Sequence, residues 1–203
     1  NKIKRHEKLK ELGYGSSSFI VAGFKPGSIS QELYDYLMPI LTEENVLVGI
    51  HRTGMASMED IQNIFKNGLS LPSSEAPVFS YMFGKGIYFS DIAIKSFYNS
   101  HPQNHIGLLL LCEVDLGNIE ERLKADIKLP QTMQKGKNSI KVLGMNFPDE
   151  KGSYYNEDGV EIPLGDILIN QDENKKTYFG FNEYIVYNIE NIKIKYITKV
   201  HFI

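Results

Sequence analysis

Residues 75–91 read EAPVFSYMFGKGIYFSD, a Pro-containing loop that runs through a Gly84-Lys85-Gly86 turn into a short apolar strand carrying Tyr88. Glycine admits backbone conformations that a β-carbon forbids, and an aromatic ring on a rigid strand presents a flat face. An exposed, glycine-hinged loop feeding such a strand is therefore expected to meet a planar ligand. The plainer reading is a hairpin with a tyrosine in the core.

Around this stretch lie 203 residues, 42% hydrophobic and 23% charged, enough for one well-buried core and too few for two comfortable ones. One compact domain over 1–203 is expected. No run of about 18 apolar residues is present, and the longest candidate, 106–112, is strand-sized, so a soluble protein is expected. The lone Cys112 excludes a disulfide framework and a Cys-based zinc site, and reads as a small interior hydrophobe. A net charge of −3 provides no whole-surface attraction to nucleic acid or anionic membrane. The first residue is Asn1, and no apolar segment follows the opening Lys2, Lys4, Arg5, Lys8 and Lys10. A piece of a longer chain without a signal peptide is expected, its basic start forming solvated helical turns rather than a docking arm.

Along the chain, residues 13–27 read as a strand, Phe19-Ile20-Val21, between Gly- and Ser-rich ends. Leu33, Tyr34, Leu37, Met38 and Leu41 share a helical face that Pro39 bends or ends. A strand over 46–50 delivers His51. Ser57 and Asp60 form a capping-box pattern for a second helix, which Gly68 stops. Asp91 is placed to cap a third short helix through Phe97, and 107–114 is an apolar strand. Residues 116–156 read as polar surface loops with little regular structure. Strands return at 160–164, 167–169 and 184–188, and the tail alternates Ile192, Ile194 and Tyr196 with Lys193 and Lys195, as for a strand with one wet face. The class is α+β with antiparallel sheets.

Two further stretches place one polar residue at the edge of an apolar strand: Val48-Gly49-Ile50-His51-Arg52-Thr53 and Asn182-Glu183-Tyr184-Ile185-Val186-Tyr187. Each alone is weak, since a histidine at a strand end and a glutamate opening a strand are usually structural or surface groups. Together with 75–91, the Lys95-Ser96 pair, GLLLLCEVDLGN at 107–118 and DGVEIPLG at 158–165, they resemble the poly(ADP-ribose) polymerase catalytic domain, a His-Tyr-Glu type of ADP-ribosyltransferase. The resemblance covers 46–203, and residues 1–45 form a divergent N-terminal segment.

The resemblance implies two antiparallel β-sheets around an NAD cleft with a few flanking helices. It implies transfer of ADP-ribose from NAD to an acceptor with release of nicotinamide, and no metal. Glu183 matches the carboxylate beside the ribose, which stabilises the oxocarbenium character that develops as the glycosidic bond breaks. His51 matches the histidine that orients the adenosine-side ribose, so its work is positioning. Tyr88 matches the aromatic stacked on the nicotinamide and Ser96 the hydroxyl bonded to its carboxamide. Lys85 matches a lysine at the cleft edge, and Tyr81 and Met82 face the incoming acceptor. A protein acceptor is expected ahead of a nucleic-acid one, with no membrane partner and a monomeric chain. The compartment is either intracellular or reached by secretion through a signal outside this sequence.

Three departures from the family pattern bear on the nicotinamide pocket. Arg52 stands where the family has the glycine whose backbone pairs with the nicotinamide amide, although Thr53 keeps the following hydroxyl. About three residues are added between His51 and Gly68. The second stacking tyrosine falls on Asn99, with Tyr98 one step earlier, and one step on a helix turns a side chain by about 100°. Residues 1–45 are also too few for the helical regulatory domain of DNA-dependent members; if none lies upstream, activity is expected without DNA breaks. Transfer of one unit or of many remains open, and the alternatives are an NAD glycohydrolase and a catalytically silent NAD- or ADP-ribose-binding module.

Overall fold

A computed structural model describes residues 63–64, 66–76, 81–99, 106–156 and 159–201, with the backbone alone at 97–99, 106–108 and 197–201. The described residues belong to two compact units, one of them made of Ser70–Ser96 and Asp115–Asn191. The readings of residues 1–62, His51 and the capping box among them, lie outside the described residues.

The unit of Ser70–Ser96 and Asp115–Asn191 is organised by a four-stranded sheet of order β1-β9-β4-β3. Its strands are β1 (Ile87–Phe89), β3 (Ile119–Arg122), β4 (Ser139–Val142) and β9 (Glu183–Val186). The central β9 runs antiparallel to both β1 and β4. β3 and β4, however, are parallel, which corrects the expectation of purely antiparallel sheets. A parallel pair needs a connection of a dozen or more residues, and 123–138 supplies it without a helix. Glu120, itself buried and paired with Arg122 of the same strand at 2.6 Å, holds this connection down by accepting the Gln134 N–H at 2.7 Å.

The same region corrects the reading of 116–156 as loops. Besides β3 and β4 it holds β5 (Asn146–Pro148), paired with β8 (Ile167–Ile169), and β6 (Tyr154–Tyr155), paired with β7 (Glu161–Ile162). β4 reads Ser-Ile-Lys-Val, too short and polar to announce itself. Its Ser139 is nonetheless fully buried, donating to the Leu116 carbonyl at 2.6 Å. A partner outside the strand thus accounts for a polar residue that the sequence pattern assigned to solvent.

Tyr81, Phe83, Tyr88, Leu129, Ile140, Val142 and Ile185 form the core on one face of this sheet. The Gly84-Lys85-Gly86 turn lies inside the core rather than exposed as expected, both glycines being buried. Gly84 has φ +73°, and a β-carbon there would stand 1.8 Å from the Leu129 carbonyl oxygen. One at Gly86 would stand 2.4 Å from Cγ2 of Ile185. The glycines are required for close packing, and Leu129, brought in by the 123–138 connection, closes the core above them.

In the other unit β2 (Ile106–Val114) pairs antiparallel with β10 (Ile192–His201) along its length, close to the predicted strands. A bulge between Ile194 and Tyr196 interrupts the alternation read from the tail, and Lys193 and Lys195 both reach Glu113, at 3.8 and 2.7 Å. Cys112 is half-buried, and burial pushes its thiol up to about 12, as suits an inert interior side chain. Gly68 takes φ +81° and its N–H donates to the Ile64 carbonyl, ending the helical residues before it as expected.

Gly84→Ala is expected to lower the unfolding free energy by about 2–4 kcal/mol, combining a left-handed backbone with a main-chain collision. Urea unfolding measures it; a loss below about 1 kcal/mol would mean that Leu129 moves aside easily.

Candidate functional site

The register of β9 sorts the candidate residues onto two faces. Tyr88 pairs with Ile185 on one side of it, and Val142 pairs with Glu183 on the other. Side chains alternate along a strand, so Glu183 shares the core face with Tyr88, and such diagonal neighbours lie about 7–8 Å apart. Asn182, Tyr184 and Lys141 take the opposite face.

Tyr88 is almost fully enclosed, at 3% exposure. Its hydroxyl donates to the Gly84 carbonyl at 2.8 Å and accepts the Phe83 N–H at 3.0 Å, so it braces the glycine turn from within. Tyr81 is buried with its ring centroid 6.5 Å from that of Tyr88, whereas Met82 is exposed. Lys85 donates to the carbonyls of Ser73 and Ser74 at 2.9 and 2.5 Å, joining the turn to the chain at 73–74. Tyr187 donates to the Phe83 carbonyl at 2.6 Å, tying β9 to the same loop.

Glu183 stands at the end of the shared face, where the helix Ala93–Asn99 brings Lys95 to it: Nζ lies 2.8 Å from Oε1. Both side chains are only partly accessible. The Lys95-Ser96 motif by itself assigns no role to its lysine, and only the fold brings Lys95 to Glu183. Ser96 is half-buried on the same helix. Tyr98 lies in the helix with its backbone alone described, and His51, Arg52 and Thr53 lie outside the described residues.

On the opposite face, Asp91 Oδ2 accepts from Asn182 Nδ2 at 2.9 Å and from the Tyr184 hydroxyl at 3.1 Å. The helix cap expected of Asp91 is not formed. Its carboxylate turns across to β9, and Ser90 Oγ accepts the Ile92 N–H instead, at 3.3 Å. Burial pushes the Asp91 carboxyl up, opposed by the hydrogen bonds from Asn182 and Tyr184 and by the charge of Lys141. Burial and the neighbouring Asp91 push the Tyr184 hydroxyl above the usual phenol range. Asn182, also buried, spends its Oδ1 on the Gly144 N–H at 2.9 Å. Among the described residues no cluster of three or more His, Cys, Asp or Glu is arranged to hold a metal ion.

The geometry places a carboxylate held by Lys95 on the same sheet face as the enclosed ring of Tyr88. The family model "Poly(ADP-ribose) polymerase catalytic domain" matches residues 55–202, and the chain belongs to that family. It is 43% identical over 144 residues to poly [ADP-ribose] polymerase 1 of Danio rerio and 44% identical over 141 residues to that of Xenopus laevis. It is also 40% identical over 141 residues to poly [ADP-ribose] polymerase 2 of Zea mays. Each match covers 68% of this chain and 13%, 14% and 21% of those relatives, respectively, so the chain spans about a fifth of their length or less.

Asn182→Asp keeps an acceptor for the Gly144 N–H but sets a second carboxylate against Asp91. Both groups then have folded-state pKa values raised above the unfolded ones, so stability is full below about pH 4 and is lost as pH rises. Relative to the parent, a loss of about 2–3 kcal/mol is expected at pH 7, and a smaller one at pH 4. Urea midpoints at the two pH values test this, and an equal loss at both would refute it.

Proposed function

We propose that the chain is an NAD-dependent ADP-ribosyltransferase, a single catalytic domain that moves ADP-ribose from NAD to a macromolecular acceptor and releases nicotinamide. The observation that carries this reading, within the family the chain belongs to, is Glu183 held by Lys95 on the face it shares with Tyr88. Glu183 is buried, and the desolvation cost of a buried ion pair offsets most of its attraction, so orienting the carboxylate is the better account of it.

In the reaction the bond between ribose and nicotinamide breaks and its electron pair leaves with the ring. Positive charge builds on the sugar, where the Glu183 carboxylate stabilises it by a few kcal/mol. The acceptor oxygen then bonds to the same carbon and loses its proton. Tyr88 is the platform for the nicotinamide, Ser96 the partner of its carboxamide, and His51 the guide for the distal ribose. Arg52, Thr53 and Tyr98 complete the donor site, and Lys85 and Met82 border the acceptor side with Tyr81. A protein side chain is the first acceptor. Retention of Glu183 together with Met82 allows elongation of the product as well as transfer of a single unit.

With labelled NAD the chain is expected to give modified protein, a single product size meaning one-unit transfer and a ladder meaning elongation. Free ADP-ribose alone would mean hydrolysis, and no binding of a non-hydrolysable NAD analogue would mean a scaffold. Glu183→Gln is expected to keep analogue binding while turnover falls by about two to three orders of magnitude; a variant as fast as the parent overturns the role given to Glu183.

A further inference from the structure

Glu183 has two chain neighbours, and both are tied to one side chain from a distant part of the sequence. Asn182 and Tyr184 converge on the same oxygen of Asp91. Asp91 itself stands between β1 and the helix that carries Lys95, and Ser90 adds a bond from its hydroxyl to the Asn182 carbonyl at 3.2 Å. The other carboxyl oxygen of Asp91 is buried with no hydrogen-bond partner among the described residues. Burying a carboxyl on such terms costs the fold free energy that a well-packed apolar residue would not. The network is therefore better explained by what it holds than by stability.

We propose that Asp91 is a positioning residue for Glu183. It clamps the residues before and after Glu183 against the strand-to-helix corner, fixing the pitch of β9 and the approach of Lys95 to the Glu183 carboxylate with one set of bonds. The clamp acts from the face opposite the reacting groups, so it touches neither donor nor acceptor. A displacement of about 1 Å in a catalytic group is enough to cost about 100-fold in rate, and loss of the clamp is of that kind. The proposal rests on Glu183 being the catalytic carboxylate.

The test uses the full chain with four variants and steady-state NAD turnover. Asp91→Leu removes the acceptor and is expected to lower kcat at least about 30-fold with KM for NAD within about threefold of the parent. Asp91→Asn still offers one oxygen to both donors and is expected to recover kcat to within about threefold. Tyr184→Phe removes one leg of the clamp and should lower kcat about fivefold; it decides the matter if Asp91→Leu does not fold. Asp91→Leu and Tyr184→Phe both within about twofold of the parent, or losses appearing in KM rather than kcat, overturn the clamp. Glu183→Gln, run beside them, separates the two claims. If it alone loses turnover, Glu183 keeps its role and the clamp is wrong. If it keeps turnover, the catalytic reading fails, and crystal structures of the Tyr184→Phe and Asp91→Leu proteins decide the clamp: displacement of the Glu183 carboxylate from Lys95 supports it, and an unchanged pair overturns it.

Discussion

Strand β9 is hydrogen-bonded along both edges, to β1 on one side and β4 on the other, and the placement of Glu183 depends on that double register. Side chains alternate with a period of two, so a slip of one residue would turn Glu183 to the opposite face and drive Tyr184 into the core. Ile185 and Val186, both fully buried, make such a slip costly. The catalytic candidate thus inherits its orientation from the packing of two apolar neighbours.

Two connections protect this register from either end. At the β1 end, the glycine turn is folded so tightly beneath Leu129 that the hydroxyls of Tyr88 and Tyr187 serve the backbone of the turn. At the other end, Asp91 draws Asn182 and Tyr184 together, and the helix behind it brings Lys95 to Glu183. Lys95 and Asp91 are four residues apart in sequence, yet they act on β9 from opposite faces. One corner between strand and helix serves both.

Residues 75–91 were legible in composition and misleading in exposure. The glycines were read as freedom for a loop; they are instead room for a neighbouring main chain, and no local pattern reveals which neighbour will arrive. β3 and β4 escaped notice for a related reason. Glu120 and Ser139 look like surface residues until the Gln134 N–H and the Leu116 carbonyl satisfy them, and those partners are brought in by the return of the chain. By contrast β2, β8, β9 and β10 lie close to where their apolar runs placed them, because strand propensity is a property of the run itself, and this holds even for β8, whose three residues are all exposed.

The family, the α+β class, the principal strands and the presence of Glu183, Tyr88 and Ser96 were all contained in the linear order of residues, since motifs and periodicity are local properties. The parallel pairing of β3 with β4, the enclosure of Tyr88, the pairing of Lys95 with Glu183 and the turn of Asp91 away from its helix were not. Each depends on which groups meet across tens of residues, and hydrogen-bond partners and buried charges are chosen only when the sheet has brought those segments together.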